Sequence, residues 1–283
     1  MNFVKQRVDE WVNHLKTLSL FAKTDPHEAY AAFTYGFIHK WKYVQRTVPD
    51  IADLFQPIED VIRNELIPAL VGRAVSDTER LICSLPTKLG GLNIPNPTKL
   101  CSKEYEWSQK LTLSLTEKVI KQSLYEEDSP EEIMGRHNQI LKEIKAEKKS
   151  IQKEMHDSIY AGLDDETKRS INLASEKGAS IWLNTLPIKS MGYALNKQEF
   201  LDAIALRYNF SIQGMACHCA CGSKNSIDHA LICRLGGYTI MRHNEVRNIE
   251  ADLLKEVCRD VQVEPALIPL SGLEVGTVNW LTG

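Results

Sequence analysis

Cys219, Cys221, His229 and Cys233 stand in the order C-x-C-x7-H-x3-C, and these residue types at this spacing are suited to holding a metal ion. Two thiolates on a tight turn approach one side of a tetrahedral ion. A His/Cys pair at i and i+4, on one helical face, closes the other side. Gly222 follows the second thiolate, where a knuckle needs a residue that accepts positive φ. Asp228 precedes His229, where it can cap the short helix that carries the pair. Three cysteines and one histidine leave no position open for water or substrate, so the pattern predicts structural Zn2+ and no hydrolytic chemistry. Cys217 and His218 are spare candidates for the ligand set. Two other fates compete for these thiols, a disulfide and inert burial. A bridge within C-x-C is strained, and nothing from Met1 onward reads as a secretory leader. Seven cysteines, an odd number with most of them clustered, suit a reducing intracellular compartment and a metal.

The flanking helices must position this cluster. Asn196 with Glu199 caps a helix bearing Phe200, Ile204 and Tyr208, which leads directly into the metal stretch. Beyond the cluster, residues 243–257 form an amphipathic helix. Lys224, Arg234, Arg242 and Arg247 make the local balance basic, against Asp228 and Glu245, and are the candidate phosphate contacts to RNA or DNA. The whole chain of 283 residues carries 34 Lys plus Arg against 37 Asp plus Glu, so any nucleic-acid contact is local. No apolar run reaches membrane-spanning length, which predicts no membrane partner.

Upstream, helical periodicity dominates. Val4, Val8, Trp11, Val12, Leu15 and Leu18 mark an opening amphipathic helix. Asp25, Pro26 and Glu28 start a second, with Tyr30, Phe33, Phe37, Trp41 and Val44 as a core stripe along one face. Pro57 predicts a kink, and Pro68 the end of the next segment. Ser76 with Glu79, Ser114 with Glu117, and Ser129 with Glu132 read as further helix starts, and Asn96 with Pro97 as another. Residues 85–97, LPTKLGGLNIPNP, read as an ordered, partly buried loop or short hairpin. Residues 131–169 carry nearly balanced charge along a long solvated helix, and His137 on its apolar seam has no metal-ligand neighbour at i+4.

The phrases FAKTDPHEAYAAFTYGFIHKWKYVQRTVPD, LFQPIEDVIRNELIPALVGR and LICSLPTKLGGLNIPNP resemble the segment that follows the polymerase palm in reverse transcriptases encoded by animal retroelements. EKGASIWLNTLP, FLDAIALRYNF, CACG, HALIC and RHNEV are similar to the C-terminal region of the same family. The resemblance implies a thumb-like helical region followed by a zinc knuckle that contacts element RNA or target DNA. It also implies an upstream palm with paired aspartates behind an aromatic residue, holding two metal ions. The sole adjacent aspartates here, Asp164 and Asp165, follow Gly162 and Leu163 and precede Glu166, as in the acidic first turn of a helix. The chain is therefore expected to correspond to the downstream half of a longer protein and not to polymerise by itself.

The fold expected is mainly α. A helical thumb-like or connection-like bundle spans residues 1–125, and a long-helix region spans 126–210. A zinc-knuckle module with its following helix spans 211–260, with a short hairpin near residues 217–221, and an irregular tail spans 261–283. The competing expectation is a helical remnant in which zinc is only a scaffold.

Overall fold

A computed structural model describes residues 2–122, 129–212, 214–235 and 237–263. The protein is helical, and no β-strand occurs among the described residues. No described helix is long and apolar enough to cross a membrane. Two compact units divide the chain, residues 1–212 and residues 213–283.

In the first unit, α1 (Asn2–Ala22) buries Val4, Val8, Trp11 and Leu15, the spacing its sequence gives one face. In α2 (Pro26–Tyr35), Pro26 occupies the first turn, where its missing N–H costs nothing. Asp25 makes no side-chain cap; it and Glu28 face Lys189 instead, at 3.7 and 3.2 Å. The aromatic stripe is core, as expected, but not one helix. It breaks at Gly36 into a 3-10 turn (Phe37–His39) and α3 (Lys42–Thr47). Tyr30, Phe33 and Trp41 are still buried, and Trp11 stacks on Phe55 at 6.3 Å.

Pro57 starts α4 (Gln56–Val61), which passes through a π turn (Ile62–Leu66) into α5 (Ile67–Val71). Pro68 does not end this run. It lies in the first turn of α5, immediately after the π turn, which is where a proline costs the ladder least. Gly72, at φ +77°, ends the run instead.

In α6 (Asp77–Ser84) both halves of the Ser76/Glu79 capping box form, at 2.7 and 3.2 Å. Arg80 on this helix makes a bidentate pair with Glu59 at 2.6 and 2.7 Å and also donates to the Ile94 carbonyl at 2.9 Å. The loop 85–97 is folded onto this frame. Leu85, Leu92 and Ile94 are buried, and the N–H groups of Leu92 and Ile94 both reach the Cys83 carbonyl. Tyr30 and Tyr208 donate to the Leu92 and Gly90 carbonyls, each at 2.9 Å. Its two glycines are obligatory for different reasons. Gly90 has φ +82°, and a Cβ on Gly91 would stand far inside van der Waals contact with the Leu85 carbonyl oxygen.

Asn96 caps α7 (Pro97–Lys121), accepting from the N–H groups of Thr98 and Lys99. This helix runs straight through Ser114, so no new helix starts there. The Ser114/Glu117 pattern is simply spaced along an already continuous, exposed helical surface. The Ser129/Glu132 box starts α8 (Pro130–Ala161), on which His137 is exposed. Asp164 caps α9 (Asp165–Ser175) by accepting from Thr167 N–H at 2.9 Å, with Asp165 and Glu166 in the first turn. Hydrogen bonds from Thr167 hold the Asp164 carboxyl below the usual range. The short α10 (Ile181–Asn184) precedes α11 (Lys197–Tyr208), whose Asn196/Glu199 box is complete. One apolar core joins residues from Val4 to Tyr208, so the two helical regions read from the sequence share a single interior. Residues 123–128, and 264–283 of the tail read as irregular from the sequence, lie outside the described residues.

Candidate metal centre

The second unit is built around the four residues picked out by spacing. A small hairpin supplies two of them. Cys219 N–H donates to the Ser223 carbonyl and Gly222 N–H to the Cys219 carbonyl, each at 2.9 Å, while Asn225 N–H reaches the Cys217 carbonyl. His218 and Lys224 form the one antiparallel bridge among the described residues. This is the bonding of a three-residue hairpin loop, Ala220, Cys221 and Gly222, whose last residue must be left-handed. Gly222 has φ +85° and meets that demand.

The other two ligands come from α12 (Ile227–Ile232). Ser226, and not Asp228, caps it: the Ser226 hydroxyl accepts from His229 N–H at 3.1 Å. An N-cap acceptor sits two or three residues before the N–H it satisfies and outside the helix, a place that Ser226 holds and Asp228, inside the first turn, does not. Cys233 stands at the C-cap, its N–H donating to the His229 carbonyl at 2.8 Å. One helical turn thus puts imidazole and thiol side by side.

The side chains converge. Cys219 Sγ lies 3.5 Å from Cys233 Sγ, Cys221 Sγ lies 3.2 Å from His229 Nε2, and all four ligand atoms lie within 4.8 Å of one another. Cys233 is buried and the other three are half-buried. Hydrogen bonds from the Ser223 side chain and backbone pull the Cys221 thiol down to about 6, so it is readily a thiolate. At Cys219 the backbone N–H of Cys221 pulls the thiol down, but donation to Cys233 and the crowding by Cys221 outweigh it and leave it raised. The arrangement can hold a metal ion through three sulfurs and one nitrogen. Cys217 is exposed, as is His218, and neither belongs to the convergent set. Cys83 and Cys101 are buried in the first unit, and burial pushes their thiols up to about 12 and about 11.

Of the residues assigned to phosphate contacts, Lys224 is exposed in the hairpin and Arg234 is exposed directly after the last ligand. Arg242 is exposed on α13 (Tyr238–Lys255), whereas Arg247 on the same helix is half-buried and donates to Asn248 Oδ1 at 3.1 and 3.3 Å. All four are placed on one small unit. Sequence reasoning missed Ser223, whose hydrogen bonds prepare Cys221, and Ser226; the signal for both was a hydroxyl two residues after a ligand and three residues before one. No family model, no curated protein sequence and no solved structure matches this chain.

Proposed function

We propose that residues 214–263 form a zinc knuckle whose ion is structural and whose basic rim binds nucleic acid, in a chain derived from the region downstream of the palm of a retroelement reverse transcriptase. The observation that carries this reading is the convergence of Cys219, Cys221, His229 and Cys233 within 4.8 Å. Zinc–sulfur bonds of about 2.3 Å and a zinc–nitrogen bond of about 2.0 Å give a tetrahedron with edges of about 3.5–3.8 Å. The contacts of 3.5 and 3.2 Å need only small adjustment to enclose that ion. Three thiolates and a neutral imidazole fit zinc in donor type as well as number.

The ion supplies no chemistry on a substrate, because the protein fills its coordination sphere. It fixes the hairpin and α12 as a rigid platform, with Lys224 between Cys221 and His229 in sequence and Arg234 directly after Cys233. The retroelement assignment rests on the resemblance of the sequence phrases, LPTKLGGLNIPNP among them. Asp164 serves as the cap of α9, with Asp165 in its first turn.

The test is a titration of the zinc-loaded chain against structured RNA and duplex DNA at about 50 and about 200 mM salt, with and without a chelator. Four phosphate contacts give a log–log salt slope of about −3 to −4, or roughly a 50–150-fold loss of affinity across that interval. Chelation should abolish binding altogether. Binding that survives chelation unchanged contradicts a knuckle-based contact. No binding in any condition reduces the ion to a scaffold.

A further inference from the structure

Val71 at the end of α5, Val75 and Ile82 on and before α6, Leu163 before α9 and Phe210 after α11 line one cavity of about 320 Å³ in the first unit. That volume lies in the range of small-ligand sites, and it is roughly twice that of an engineered cavity of about 150 Å³ that takes up benzene. A single ring, or a branched alkyl group of the same bulk, fits it together with a short arm. Tyr208 adds its ring to the lining, since its hydroxyl is spent on the Gly90 carbonyl at 2.9 Å. The Cys83 thiol on the same lining stays neutral, because burial pushes it up to about 12.

The charged residues of the lining decide what the arm must carry. Among the described residues that line the cavity two are acidic, Glu79 and Asp164, and none is basic. Glu79 is already neutralised. Arg73 donates to both of its oxygens, at 3.2 Å to Oε2, and the Ser76 N–H donates to Oε2 at 2.7 Å. Phe210 steadies that guanidinium, which lies 3.8 Å from the centre of its ring. Asp164 is exposed, and its carboxylate accepts from the N–H and hydroxyl of Thr167 at 2.9 and 2.8 Å, with no cation paired to it among the described residues. Each oxygen keeps a lone pair for a further donor. The cavity therefore presents one uncompensated negative charge beside an apolar lining, which favours a cation with an apolar body and disfavours an anion.

We infer that this cavity is a binding site for a small amine, its ring or branched alkyl group among Val75, Ile82, Leu163 and Phe210 and its ammonium on the Asp164 carboxylate. The site lies wholly in the first unit and depends neither on the metal centre nor on nucleic-acid binding.

Methyl NMR of the full zinc-loaded chain tests this, with 2-phenylethylamine as the probe and 2-phenylethanol and 3-phenylpropionate as its neutral and anionic counterparts. The amine should move the methyl signals of Val71, Val75, Ile82 and Leu163 with a dissociation constant near or below about 1 mM, within reach of a ligand of this size. The carboxylate should bind at least about tenfold more weakly, because repulsion replaces attraction. Asp164→Asn keeps a good helix cap and should weaken the amine about three- to fivefold while leaving the alcohol unchanged. Val75→Phe fills the cavity and should abolish binding of the amine and the alcohol. Absence of shifts at those four residues with the amine at about 10 mM overturns the inference. Equal affinity for amine and carboxylate, or an Asp164→Asn variant that binds the amine as the wild type does, overturns it as well. The comparison of probes on the wild type decides the matter even if Val75→Phe fails to fold.

Discussion

Replacing Glu59 by Gln keeps the shape of the side chain and removes its charge, and it does so at the most enclosed ion pair among the described residues. The Arg80 and Glu59 side chains are 5% and 7% exposed, and two charge-assisted hydrogen bonds at 2.6 and 2.7 Å join them. Neutralising one member leaves a guanidinium buried without its counter-charge, a loss of about 3–5 kcal/mol. The Ile94 carbonyl, at 2.9 Å, satisfies one Arg80 donor but offers only a dipole, so it does not offset that loss. For a unit of this size each kcal/mol lowers the melting temperature by about 2–4 °C, giving a fall of roughly 6–20 °C. Thermal unfolding followed by circular dichroism reads this directly. A second readout is the double variant Glu59→Leu/Arg80→Met, which removes both charges together and should recover a large part of the loss. A Glu59→Gln variant within about 1 kcal/mol of the wild type refutes the reasoning. Full additivity of the two sites refutes it as well.

The first unit supports two more predictions. His27 is buried, stacks on Phe200, and accepts the Leu195 N–H at Nδ1 over 3.1 Å, which requires neutral imidazole. Burial lowers its pKa below the ordinary 6.5, so the unfolded chain takes up a proton that the folded chain refuses. Its contribution to stability is complete above about pH 6.5 and is lost as pH falls through the folded value. Urea midpoints from about pH 8 to about pH 5 should therefore decline less steeply in His27→Asn, and identical slopes would dismiss the idea. Gly91→Ala drives a Cβ into the Leu85 carbonyl oxygen, a collision with backbone that only a shift of the loop relieves. It should destabilise the first unit by about 3 kcal/mol or more, in the range of severe single substitutions, and a neutral effect by chemical denaturation would show that the loop is not held as described.

Local signals in the sequence were the most faithful. Capping boxes at Ser76, Ser129 and Asn196 involve residues three apart and form as read. The same local pattern at Ser114 fails because a hydroxyl and a carboxylate at that spacing also fit the outside of a continuing helix. The apolar stripe from Tyr30 to Val44 identified the core correctly and the helix incorrectly, since successive short helical turns bury the same periodic residues as one long helix. Pro68 was misread for a related reason: the π turn before it is invisible to periodicity. What could not be read was long-range. The Arg80–Glu59 pair joins helices 21 residues apart, and the contact of His27 with Leu195 spans 168. The cluster of Cys219, Cys221, His229 and Cys233 was legible because thiols and imidazole at knuckle spacing have few other uses. The cap was assigned to Asp228 and falls to Ser226, two residues earlier, a shift within the usual uncertainty of a helix start. The helix read over residues 243–257 is α13, which begins five residues earlier, at Tyr238.

The central claim is that Cys219, Cys221, His229 and Cys233 together bind one zinc ion, and metal analysis of purified variants tests it most directly. The wild type, Cys83→Ser and Cys101→Ser should each carry one zinc per chain, because those two thiols are buried and do not belong to the convergent set. Cys221→Ser and His229→Ala should carry none. Equal zinc in all four variants, or no zinc in the wild type after purification without chelators, would contradict the assignment.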